Sequence, residues 1–84
     1  MPQETQEIEK EVVEIVARQG GLDTSEVTPA KHLMADLGLD SLDIAEVTME
    51  LEDAFSIAIP DAEAQNIQTV GQVIDYVKRH TPLA

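Results

Sequence analysis

Apolar residues in the first twenty positions recur with the period of a helix. Ile8, Val12, Ile15 and Val16 stand at i, i+4, i+7 and i+8, which predicts a helix over residues 3–19. Gly20-Gly21 suits its C-terminal cap, and Arg18 suits the negative end of its dipole. The period then fails for about twenty residues. Thr24-Ser25 offers a start for a one-turn helix, and Pro29 and Gly38 punctuate the rest. A loop this long needs fastening, and Leu22, Val27, Leu33 and Leu37 are its expected anchors.

Periodicity returns at Ser41 and predicts a second helix over residues 41–55, capped by Asp40 with Asp43 three residues on. The segment "IPDAEAQNI" predicts a short third helix, with Pro60 and Asp61 at its start. A fourth begins at Thr69, has Gln72 at the capping-box position and turns Val70, Val73, Ile74 and Val77 inward. Lys78 and Arg79 suit its C-terminal end, and Pro82 stops it. Without repeats or strand-like alternation, the expected fold is all-α. It is a single domain over residues 1–84, a small four-helix bundle of three longer helices and one short one, with a long loop between helices 1 and 2.

Composition narrows the chemistry. With 43% apolar residues but one Phe and one Tyr, the core is built of small aliphatic side chains. No apolar run reaches bilayer-spanning length and the acidic start lacks a signal pattern, so a cytoplasmic protein is expected. Zero cysteines exclude a disulfide framework and cysteine-based metal sites. The net charge is −12, and between His32 and Val77 ten carboxylates occur with no Lys or Arg. Nucleic acid and anionic membranes are therefore poor partners, and basic protein surfaces are good ones. A merely solubilising face is the plainer alternative.

On a wheel, the second helix divides into three stripes. Ile44, Val47, Leu51, Ala54 and Phe55 are expected in the core. Asp43, Glu46, Glu50 and Asp53 form an acidic stripe roughly opposite. Between them lie Leu42, Ala45 and Met49. Leu42 is expected to pack inward through the first turn. For Met49 and Ala45 two readings stay open: a wide core face, or an adaptable contact for a transient partner.

Ser41, His32 and Asp36 or Asp40 are the residue types of a hydrolase triad. However, "GLDS" is not a nucleophile elbow, and so small a bundle offers little room for a pocket with an oxyanion hole. An EF-hand loop from Asp36 fails too, because Ser41 stands where glycine is required and Val47 where glutamate is. His32 and His80 lack a second ligand at helical spacing, so no metal site is expected beyond weak cation binding to the carboxylates.

Across "DLGLDSLDIAEVTMELEDAF" and on through "IPDAEAQNIQTVGQVIDYV", the chain resembles the acyl carrier protein family. The likeness runs essentially end to end, and Asp40-Ser41-Leu42-Asp43 matches that family's attachment motif. It implies a non-catalytic carrier in which Ser41, flanked by Asp40 and Leu42, bears 4′-phosphopantetheine. The arm would be installed from coenzyme A by a Mg²⁺-dependent phosphopantetheinyl transferase, with Asp40 helping to hold the Mg²⁺. Acyl groups would ride on the arm as thioesters.

The resemblance further implies docking to transferase, condensing enzymes, acyltransferases and reductases through Asp43, Ala45, Glu46, Met49, Glu50 and Asp53. It implies an acyl pocket lined by Val47, Leu51, Phe55, Ile59 and Ile67, and a monomer. Asp43 after Leu42 favours the free-standing bacterial fatty-acid type. Leu39, standing where Ala is frequent, also suits polyketide carriers, and Thr48, Ala58 and Gly71 depart from the commonest pattern. A carrier for a specialised pathway and an unmodified acidic adaptor are the competing readings.

Overall fold

The computed structural model describes residues 2–81, with side chains from Glu7 onward. Helix α1 spans Pro2–Gly20, α2 Ser41–Phe55, α3 Asp61–Asn66 and α4 Val70–His80, with a 3-10 turn at Thr24–Glu26 inside the long loop. The expected element order holds throughout. Pro82, the expected stop to α4, lies outside the described residues.

Each boundary has a local cause. At the end of α1, Gly21 takes a left-handed conformation (φ 65°), and Leu22 N–H reaches back to the Ala17 carbonyl at 2.8 Å. This bond satisfies a carbonyl that a helix end leaves orphaned. Helix α2 starts with a reciprocal box between Asp40 and Asp43, and α4 with one between Thr69 and Gln72. Ser56 ends α2 in the left-handed region (φ 54°), its N–H bonded to the Glu52 carbonyl.

The core is aliphatic. Ile8, Val12, Ile15, Val16 and Ala17 of α1 meet Val70, Val73, Ile74, Tyr76 and Val77 of α4, while Val47 and Leu51 close the third side. Of the expected loop anchors, Val27, Leu33 and Leu37 are buried and Leu22 is half-buried. Three core residues were not expected: Ala17, Leu39 and Tyr76. Leu39 is buried beside Gly20, where an added Cβ would stand 3.0 Å from its Cδ2 atom. Tyr76 is buried with its hydroxyl donating to the Ala58 carbonyl at 3.0 Å.

The long loop is stitched to the start of α4. His32 and Thr69 form an isolated antiparallel bridge, in which Leu33 N–H bonds the Gln68 carbonyl (2.8 Å) and Val70 N–H the Lys31 carbonyl (3.0 Å). Gly71 N–H adds a bond to the Pro29 carbonyl at 2.9 Å. A Cβ at Gly71 would lie 3.1 Å from that oxygen, so a residue without a side chain permits the approach.

Two expectations for α2 are corrected. Ala54 is exposed, because the buried face centres on Val47 and Leu51 and Ala54 falls at its edge, beside the acidic stripe. Leu42 is 66% exposed. It stands on the side of α2 turned away from the core, with Met49, so the first turn gives it nothing to pack against.

Candidate functional site

Ser41 occupies the first helical position of α2, immediately after the Asp40 cap. Asp40 Oδ1 accepts Asp43 N–H at 2.8 Å, and Asp43 Oδ2 accepts Asp40 N–H at 3.1 Å. With those two groups occupied, the N–H groups of Ser41 and Leu42 remain without a partner among the described residues. The Ser41 hydroxyl is also free, and the residue is exposed. A free hydroxyl, two free N–H donors and the positive helix end therefore coincide, which is the chemistry a phosphate ester needs.

Ser41 stands on the rim of a cleft of about 640 Å³. One wall is α2 through Ile44, Ala45, Thr48, Met49 and Glu52. Facing it are Met34 and Leu33 of the loop, then Ile59, Ala64 and Ile67 around α3. Its polar members are partly satisfied within the fold. Thr48 Oγ1 donates to the Ile44 carbonyl (2.8 Å), and Glu52 Oε2 accepts Ile59 N–H (2.7 Å). What remains is a mainly apolar hollow of the size that small ligands occupy.

Of the residues expected to form the acyl pocket, Ile59 and Ile67 line this cleft. Val47 and Leu51 instead lie in the core, and Phe55 packs half-buried against it. Ile44, Met34 and Glu52, which spacing did not single out for the site, take part. Only Glu52's position three residues before Phe55, on the flank of the core face, hints at its role.

The stripe expected to meet partners can be placed by exposure. Met49 is 67% exposed and Ala45 exposed, so neither belongs to a wide core face. Glu46 and Asp53 are exposed, whereas Asp43 and Glu50 are half-buried. Gln19, at the end of α1, donates to Asp43 Oδ1 at 3.2 Å and to Glu46 Oε1, drawing two like charges onto one amide. The Asp40 backbone N–H, helped by Gln19, holds the Asp43 carboxyl below its ordinary range.

His32 shares the cleft with Ser41 but does not form a triad. Its Nδ1 accepts the backbone N–H groups of Met34 (3.2 Å) and Ala35 (3.1 Å), while Asp36 Oδ2 accepts the His32 backbone N–H (2.7 Å) rather than the ring's. Among the described residues no cluster of three potential metal ligands occurs, and no helix is long and apolar enough to cross a membrane.

These features fit one class of protein, small helical domains to which phosphopantetheine is attached. The family profile described as the phosphopantetheine attachment site matches residues 10–77. The chain belongs to the acyl carrier protein family. It is 49% identical over 75 residues to an acyl carrier protein of Rubrobacter xylanophilus, an alignment covering 89% of this chain and 93% of the relative. Among solved structures, a Mycobacterium tuberculosis protein assigned as an acyl carrier protein superposes with a TM-score of 0.81 at 39% identity, over 86% of this chain and 96% of its own. The apo doublet acyl carrier protein from prodigiosin biosynthesis superposes with a TM-score of 0.80 at 28% identity. That match covers 95% of this chain but 39% of the doublet. The group that the family carries is 4′-phosphopantetheine.

Proposed function

We propose that Ser41 bears the 4′-phosphopantetheine arm and that the protein is a discrete bacterial carrier of fatty-acid synthesis. The observation that carries this reading is an exposed, unpartnered serine hydroxyl at the head of α2, on the lip of an apolar cleft. The arm supplies the thiol that a cysteine-free chain lacks. Ser41 Oγ offers the attachment point, and the N–H groups of Ser41 and Leu42 face the site of the phosphate. Asp40 keeps the first turn wound through its cap and, in the transferase complex, helps to hold Mg²⁺.

The cleft receives the acyl chain. From Ser41 the chain first meets Ile44, Ile59 and Ile67. It reaches Val47, Leu51 and Phe55 only by parting the core, which an aliphatic interior with few aromatics allows at modest cost. Asp43, Glu46, Glu50 and Asp53, with Leu42, Ala45 and Met49 among them, meet basic patches on the transferase, condensing enzymes, acyltransferases and reductases. The working form is a cytoplasmic monomer.

Leu39 bears on the competing reading of a polyketide carrier. Its burial against Gly20 gives it a packing role that suits a carrier of either pathway.

The test is an intact mass spectrum after incubation with coenzyme A, Mg²⁺ and a broad-specificity phosphopantetheinyl transferase. The native chain should gain one arm and Ser41→Ala none, with unchanged helicity. An undiminished adduct on Ser41→Ala overturns the assignment. No adduct on either protein favours the unmodified adaptor.

A further inference from the structure

The segment from His32 to Leu39 is a wound turn leading directly into the Asp40 cap. The His32 carbonyl accepts the N–H groups of Asp36 (3.0 Å) and Leu37 (3.1 Å), and Leu39 N–H bonds the Leu33 carbonyl (3.1 Å). Like a helix, this turn opens on orphaned N–H groups, and the His32 imidazole satisfies two of them through Nδ1. Backbone N–H groups only donate, so Nδ1 presents a lone pair and the proton of the neutral ring sits on Nε2.

Ser, Thr, Asp and Asn are the usual side chains for such a task, and none of them changes donor character near neutral pH as an imidazole does. We propose that His32 is a positioning residue for the loading of Ser41, holding the turn before it only while Nδ1 is unprotonated. The inference rests on the reading that Ser41 takes the arm. A second proton on the ring replaces the lone pair with an N–H that faces two donors, and both bonds are lost. The turn then keeps its carbonyl bonds and the Asp36 bond to the His32 N–H, and Leu39 and Asp40 are less firmly placed.

The charged groups that share the turn and the cleft with His32 are mostly carboxylates. Asp36 lies in the same turn, and Glu52 of α2 and Asp61 of α3 line the same cleft. Lys31 precedes it, and α4 meets it through uncharged Thr69. The two Nδ1 bonds are the ones that a second proton on the ring breaks. His80 differs: its Nδ1 lies 2.9 Å from the Tyr76 carbonyl, which only accepts, so that bond survives a second proton.

Two-bond proton–nitrogen spectra of the unmodified protein at pH 8 should show His32 with bare Nδ1 and protonated Nε2. The opposite tautomer overturns the proposal. Between pH 8 and pH 5 the protection of the Met34 and Ala35 amides should fall on the order of tenfold, the loss expected for surrendered hydrogen bonds. Across the same range the initial rate of loading, relative to a carrier with Asn at this position, should fall with it. His32→Asn keeps an acceptor that does not titrate, so its amides should stay protected throughout. His32→Ala should be unprotected at both ends. If His32→Asn follows the native pH course, His32 is not the switch. The spectra need no arm, so a chain whose amides respond but which never loads points to failure of the Ser41 reading instead.

Discussion

Tyr76, near the end of α4, donates its hydroxyl hydrogen to the Ala58 carbonyl across 3.0 Å, joining the last helix to the strip of chain between α2 and α3. The ring is buried and stacks on His80 with centroids 4.0 Å apart. Tyr76→Phe keeps the ring and leaves that carbonyl short of a partner. It should cost about 1 kcal/mol, read as a lower urea midpoint with an unchanged slope.

Glu52 makes a comparable tie on the other side of the same strip, accepting Ile59 N–H at 2.7 Å. A hydrogen bond to a charged acceptor is worth about 1.5–3 kcal/mol when water is partly excluded. Glu52→Ala should lie toward the lower end, since the side chain is half-buried. It should also broaden the amide resonances of residues 57–59 more than those of α1.

Ser56 occupies the left-handed region without being glycine. Ser56→Gly should relieve strain of roughly 1 kcal/mol and return part of it through the freer unfolded chain. A small rise in melting temperature is expected, and a fall would mean that the Ser56 hydroxyl contributes something the backbone does not show.

Asp43 gives a pH dependence with a definite sign. Its carboxyl is held below the ordinary range by the Asp40 N–H and Gln19, so the folded state binds its proton less readily than the unfolded chain does. That stability is present above the carboxylate range and is lost as pH falls through it. Asp43→Asn should therefore flatten the acid limb of the melting-temperature profile and leave the neutral side lower.

Glu46→Lys should weaken docking chiefly through a slower association rate, and the difference should shrink in salt. Each exposed pair is worth about 0.2–1 kcal/mol, so binding should be reduced rather than abolished. The same change removes an acceptor from Gln19. A double variant with Gln19→Ala separates the surface effect from that local one. Met49→Ala should act through lost apolar contact with little salt dependence, and stopped-flow binding at two salt concentrations distinguishes the two.

The helices and their caps were legible in the sequence because each rests on neighbours: Asp40 with Asp43, Thr69 with Gln72, Gly21 after α1. The exposed place of Ser41 at the head of α2 was legible for the same reason, as one position after a local cap. What escaped involves partners far apart in the chain. Nothing near Tyr76 announces Ala58, nothing near Glu52 announces Ile59, and Leu39 finds its place against Gly20. Ala54 went astray because a helix wheel shows an angle but not how wide the neighbouring core is, and Leu42 because its place in the first turn was weighed over an angle that sets it opposite Leu51. Thr48, Ala58 and Gly71 looked merely unusual. In three dimensions Thr48 caps its own helix carbonyl, Ala58 receives Tyr76, and Gly71 lets the backbone of Pro29 come close.

The bridge between His32 and Thr69 has a mechanical meaning. Because Leu33 is tied to Gln68 and Val70 to Lys31, the loop on one side of the cleft and the approach to α4 behave as a single plate, braced from behind by the core. Across from it α2 is fixed by Val47 and Leu51. Helix α3, six residues long and with none of them fully buried, is braced more lightly, through Ala64 and the adjoining Ile67. On the proposed reading of Ser41 and its cleft, longer cargo would swing α3 outward before it parts the core, and Ser41 would stay where it is.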